Sequence, residues 1–271
     1  MMRSLWTAAS GMIAQQTNVD TIANNLANVN TVGYKAERAE FKSLLYQTLQ
    51  AKTTTANDEQ KPISAQVGLG TRTSSITSIF TNGTFNETGK VSDLAINGAG
   101  FFAIQNVDGG VDYTRNGTFN WSRIDGGGFM LVDTMGNAVL DMNETPITVD
   151  SEFDINKVKI DTDGNLSYPD ETNNLQSMGF RIGLFQFTNP AGLEKIGDSK
   201  YAPTANSGDP ISEENPGIKP SVLRQGYVEA SNVQVADEMI NLIVAQRAYE
   251  LNSKAITASD EMLQQANNLR R

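Results

Sequence analysis

Apolar residues at both ends of the chain recur at every seventh position, whereas the middle alternates apolar and polar residues in short runs cut by glycine. At the front, Leu5, Met12, Val19 and Leu26 form one line, with Ala8, Ile22 and Val29 in a second seam position and Gln15 as its polar exception. At the back, Val235, Leu242, Tyr249, Ile256 and Leu263 repeat the spacing. A sustained seven-residue repeat keeps a narrow apolar seam on one side of a helix, as helix-on-helix packing requires. The two ends are therefore expected to pair with each other or with neighbouring copies. Lacking a continuous internal partner, they are expected to be only loosely ordered before assembly.

Local signals bound these helices. The front helix is predicted to start with Ser4 as its N-cap and to run to about Asn28, where Asn28, Asn30 and Gly33 tolerate the left-handed conformation that ends helices. Ser231 and Gln234 fit a capping box ahead of the back helix, and Glu250 with Lys254 fits an i,i+4 pair on it. No Pro or Gly follows, so that helix runs about 35 residues, or roughly 50 Å. This exceeds the usual globular helix and favours a coiled-coil or assembly role. After the front helix, Phe41, Leu44, Leu45 and Leu49 suit one face of a shorter helical run. The polar stretch from Gln50 to Gln66, with Pro62 inside it, reads as extended chain that cannot build a core.

From about Thr71 to Tyr201 the pattern changes to strands. Ala95-Ile96, Phe101 to Ile104, Phe129 to Val132, Val158 to Ile160 and Ile182 to Phe187 are β-branched or alternating runs. Asn82-Gly83, Asn116-Gly117 and Asp163-Gly164 are hairpin signals, and Gly126 to Gly128 is a further break. No βαβ alternation occurs, so a small barrel or sandwich is expected. The fold class is α+β: a discontinuous, coiled-coil-like helical domain built from residues 1–45 and 226–271, a connecting region of 46–90 and 202–225, and an inserted all-β domain over 91–201.

Composition narrows the function. The 271 residues are 39% hydrophobic and 19% charged, enough for a sizeable core, and a net charge of −10 argues against a nucleic-acid groove. With neither Cys nor His, thiol and imidazole catalysis, HExxH zinc sites and Cys-rich metal clusters are impossible. The opening Met1-Met2-Arg3-Ser4-Leu5-Trp6 lacks a secretory apolar region, and no 18-residue apolar run predicts membrane insertion. Asp161, Asp163 and Asn165 imitate a calcium loop, but Gly164 is misplaced and the twelfth position carries no Glu, so a hairpin turn is expected. Glu213 with Glu214, and Asp150 with Glu152, read as solvated surface and not as a glycosidase pair. No catalytic residue, metal or cofactor is expected.

The run Ala23-Asn24-Asn25-Leu26-Ala27-Asn28-Val29-Asn30-Thr31-Val32-Gly33-Tyr34-Lys35 resembles a signature of the axial proteins of the bacterial flagellum, the rod and hook family. Leu94 to Phe102 with Tyr113 to Phe119, Phe187 to Leu193, Gln225 to Val233, and Gln246-Arg247-Ala248-Tyr249 through Lys254 are similar to further stretches of that family, in the same order. Leu44 to Gln47 and Gly68 to Gly70 bracket a polar stretch, Thr48 to Val67, like that of its distal rod members. The resemblance implies a non-enzymatic subunit of the basal-body rod that transmits torque to the hook. It further implies export by the flagellar type III apparatus beyond the cytoplasmic membrane, and assembly with itself and with proximal rod and hook proteins. The seam residues would then be subunit contacts, and the polar stretch would stiffen the tube. A proximal rod or hook subunit is the alternative within the family, and a carbohydrate-binding or carbohydrate-acting β protein the alternative outside it.

Overall fold

The computed structural model describes residues 2–50, 65–106, 109–124, 127–170 and 174–268, and the chain divides into two compact units. Unit 1 comprises Met1–Ala27, Glu37–Ser78 and Gln234–Arg271, and unit 2 comprises Asn28–Ala36 and Ile79–Val233.

In unit 1 the heptad regions form α1 (Met2–Ala27) and α2 (Val235–Asn268), and the two pack antiparallel. Ser4 Oγ lies 3.4 Å from Ser259 Oγ, and Asn25 Nδ2 donates to Glu238 Oε1 at 3.3 Å. Between these contacts, a Cβ on Gly11 would stand 3.0 Å from the Asn252 amide nitrogen. Ser4, Gly11, Asn18 and Asn25 thus step by sevens along α1 while Ser259, Asn252, Ala245 and Glu238 step back along α2, a repeat of small and polar residues that lets the backbones approach. The two ends thus pair with each other, one of the two arrangements expected, and this small and polar repeat runs beside the apolar seam as a second line of contact.

The end signals need correction. Ser4 lies inside α1 and faces Ser259 instead of capping. The Ser231 hydroxyl accepts from Val233 N at 3.3 Å, and the first turn of α2 hangs on the Gln234 carbonyl, which accepts from Glu238 N at 3.0 Å. Glu250 pairs with Arg247 at 2.9 Å, not with Lys254.

The expected short helix around Phe41 is instead part of a ribbon. Strand β1 (Glu37–Ser43) pairs antiparallel with β4 (Thr71–Ser78), with a bulge between Glu40 and Phe41, and β2 (Tyr46–Gln50) pairs with β3 (Ala65–Gly68). Leu44 N donates to Gly70 O and Leu69 N to Leu45 O, joining the two ladders into one ribbon. The spacing of Phe41, Leu44, Leu45 and Leu49 fits either period, and pairing with the Thr- and Ser-rich β4 decides for the strand. An isolated two-stranded ribbon is marginal; α1 packs on both β1 and β4, and Ser10 Oγ accepts from Thr71 N at 3.3 Å. The centre of the predicted polar stretch, 51–64, lies outside the described residues.

Among the described residues, unit 2 is all-β apart from two short 3₁₀ turns, and its ladders are antiparallel. Its largest sheet has six strands, with Phe101–Gln105 and Val111–Thr114 at the centre. Successive side chains of a strand point to opposite faces. Phe102 and Ile104 accordingly join a core with Leu94, Ile96, Phe119 and Leu131, while Phe101 and Ala103 join a second with Tyr113, Phe185 and Phe187. Of the hairpin signals, Asp163-Gly164 turns the Lys159–Ile160 strand into Asn165–Pro169, with Gly164 at φ +85°. Asn82-Gly83 and Asn116-Gly117 lie in connections between strands that pair elsewhere.

Candidate assembly surface

The front seam is a partly covered line. Leu5, Met12, Val19 and Leu26 are half-buried and Ile22 is buried, whereas Val29 falls beyond the helix in the turn that follows. On α2, Leu242 and Ile256 are half-buried, but Val235, Tyr249 and Leu263 are exposed. Ala245 and Ser259, which no apolar heptad picks out, are the buried positions of α2.

A second apolar stripe escapes the heptad pattern. At 100° per residue, Met239, Ile240, Ile243 and Leu251 fall on the side of α2 away from Ala245, with Val244 at the edge of that stripe. Ile240 is 60% exposed and Val244 62%. Trp6 and Ile13 on α1, and Phe41, Leu45, Tyr46, Leu49, Leu69 and Ile76 on the ribbon, are exposed too. Scattered apolar side chains need no explanation, but a stripe along one helix, together with an apolar ribbon in the same unit, marks an interaction surface. The sequence signal lies in Met239 to Ala245, which is apolar nearly all round.

The family-motif residues have structural roles at two places. In unit 1, Asn25 imitates a strand partner: its Nδ2 donates to Glu37 O and its Oδ1 accepts from Glu37 N, both at 2.8 Å, fixing the start of β1. Asn24 is exposed and its amide reaches Glu37 Oε2 at 3.5 Å, while Ala27 ends α1 exposed. Burial pushes the Glu238 carboxyl above its usual range, partly offset by the Asn25 hydrogen bond.

In unit 2, Asn28 accepts from the Thr31 hydroxyl, and Gly33 takes φ +70° with its α-carbon against the Arg115 carbonyl, where a Cβ would be 2.7 Å from backbone atoms. Tyr34 is half-buried, its N–H donating to Thr31 O. Lys35 is fully buried with Glu229: Nζ donates to Glu229 Oε1 at 2.7 Å and to Thr81 O at 2.9 Å. Arg115, also buried, lies 3.5 Å from Glu229 Oε2, donates to Gly98 O and stacks on Phe101. Burial pulls both cations' pKa values down, against the pull of Glu229. On α2, Gln246, Arg247 and Tyr249 are exposed and Ala248 half-buried.

No group of three acidic side chains placed to hold a metal occurs among the described residues. Glu213 is buried and holds Ser221 N and Oγ, while Glu214 pairs with Arg181, so the two are not a facing carboxylate pair.

Residues 5–35 match the family described as flagella basal body rod protein, 95–168 the D1 domain of flagellar hook protein FlgE/F/G, and 224–269 the C-terminal region of flagellar basal body rod FlgEFG protein. The flagellar basal-body rod protein FlgG of Borreliella burgdorferi is 46% identical over 276 residues, covering 100% of both chains. The chain belongs to the flagellar basal-body rod protein family. FlgG of Bacillus subtilis is 40% identical over 272 residues and the flagellar hook-basal body complex protein FlhP of the same organism 31% over 277, each covering 100% of both chains. The rod-family matches at the two ends contain the heptad positions of both helices, and this member is a structural component of the flagellar basal body.

Proposed function

We propose that this chain polymerises as the distal rod, a hollow helical shaft, through heterologous contacts made mainly by unit 1. A head-to-tail contact whose rotation does not close gives a filament instead of a ring. The observation that carries the reading is the exposed stripe Met239, Ile240, Ile243, Val244 and Leu251, left over after α1 and α2 have paired. Fully burying a side chain of this size contributes about 1.5–3 kcal/mol, so a few per subunit, repeated along a shaft, resist torsion. Val235, Tyr249 and Leu263 are exposed as well, but at 100° per residue they lie on or beside the Ala245 face and not on this stripe.

Distal rod is favoured over proximal rod or hook by the sequences that bracket the polar stretch. Leu44 and Leu45 bond directly across the ribbon to Gly70 and Leu69, and β2 and β3 continue the same ribbon. In this reading the polar stretch Thr48 to Val67 packs between neighbours and stiffens the tube. The chain performs no catalysis, leaves the cytoplasm through the flagellar export apparatus, and adjoins proximal rod and hook proteins. Electron microscopy of purified chains tests polymerisation: ordered hollow tubes are expected, lost in Ile243→Asp. Tubes formed equally well by that variant would remove the stripe from the interface.

A further inference from the structure

We infer that Lys35, Glu229 and Asn232 form a collar that ties together the segments through which the chain passes between its two units, making them open as one element. The chain crosses four times, after Ala27, Ala36, Ser78 and Val233. The segments of unit 2 that adjoin three of those crossings, 33–36, 79–83 and 229–232, are each bonded to both of the others.

The first and second are joined by Ile79 N donating to Ala36 O at 2.8 Å and by Lys35 Nζ donating to Thr81 O at 2.9 Å. Gly33 N donates to Glu229 O at 2.8 Å, Ala36 N to Asn232 Oδ1 at 2.7 Å and Lys35 Nζ to Glu229 Oε1, joining the first to the third. The ring closes where Asn232 Nδ2 donates to Ile79 O at 2.8 Å and Gly83 N donates to Glu229 Oε1 at 2.9 Å. One side-chain amide and one buried carboxylate therefore serve three segments each.

A closed cycle of this kind cannot release one member without breaking bonds to two others. Water does not replace the bonds of Lys35 and Glu229, both fully buried, so partial opening leaves an uncompensated charge and is disfavoured relative to all-or-none opening. Arg115, bonded to Gly98 O and facing Glu229, fastens the ring to the β unit. Resting on the rod reading, the consequence is mechanical: force arriving along any one crossing is shared by all the segments in the collar.

Native-state amide exchange of the full-length, unassembled chain in low urea tests this. The amides of Gly33, Ala36, Ile79 and Gly83 are expected to converge on one opening isotherm, below that of Phe102 and Tyr113 in the six-stranded sheet. Asn232→Ala is expected to speed exchange at all four by a common factor of at least about tenfold, although its side chain accepts only from the Ala36 amide. Faster exchange at Ala36 alone overturns the collar, as do wild-type isotherms that stay separate or coincide with the sheet's. The wild-type isotherms decide even if the variant does not fold. Because no polymer is involved, failure here and failure of the rod reading are distinguishable.

Discussion

Glu229 is the shared anion of two buried cations, and its chemistry sets the cost of disturbing them. Breaking a buried ion pair by removing one member costs about 3–5 kcal/mol, because the charge left behind is desolvated without compensation. Glu229→Gln strands both Lys35 and Arg115 and is expected to lie in that range by denaturant unfolding of unit 2. Lys35→Met leaves Arg115 to face Glu229 and is expected to cost less. The reverse order would contradict Glu229 as the hub. Glu238 makes a different, pH-dependent contribution. Its folded-state pKa is raised by burial, so its contribution to helix pairing is present below the ordinary Glu value and lost as pH rises through the folded value. The α1–α2 pair should therefore weaken from acid toward neutral pH, and Glu238→Gln should remove that component; an unchanged slope in the variant would refute it. None of the partnerships of Lys35, Arg115 and Glu229 was legible in the sequence, since residues so far apart in the chain leave no local pattern.

At the scale of elements, α2 presents two faces with different jobs. Leu242 and Ile256 are half-buried, whereas Ile243 and Val244 are exposed on the stripe. Leu242→Asp and Ile256→Asp should loosen the helix pair as well as assembly, through lost burial and a desolvated carboxylate, while the melting of unit 2 stays as it is. Ile243→Asp should spare the pair and stop assembly alone; helix-pair melting by circular dichroism, set beside tube formation, separates the two. The heptads were readable because a seven-residue period survives any tertiary context. They pointed to one seam, yet the pairing runs on Ser4, Gly11, Asn25, Glu238, Asn252 and Ser259, too polar to register as apolar periodicity. The ribbon was unreadable for another reason: Phe41, Leu44, Leu45 and Leu49 satisfy a helical period, and only the ladder from Glu37 to Ser78 selects strand.

For the whole molecule, the apolar surface is unevenly placed: most exposed large hydrophobic side chains belong to unit 1, whereas unit 2 buries its aromatics in two cores. Unit 2 is thus expected to fold as a self-contained body, and unit 1 to complete its burial in the polymer. Removing residues 48–67 should leave unit 2 folded and change the bending stiffness of the tube, measured from the curvature of imaged rods; straight rods of unaltered stiffness would count against the ribbon as a lateral contact. Because the chain has no cysteine, a single thiol reports on one position without background. The most direct test places it on the stripe as Ile243→Cys and compares labelling by a water-soluble maleimide in the unassembled chain and in intact basal bodies. Rapid labelling of the free chain and protection in the rod is the expected result, and equal labelling in both would contradict burial of this face between subunits.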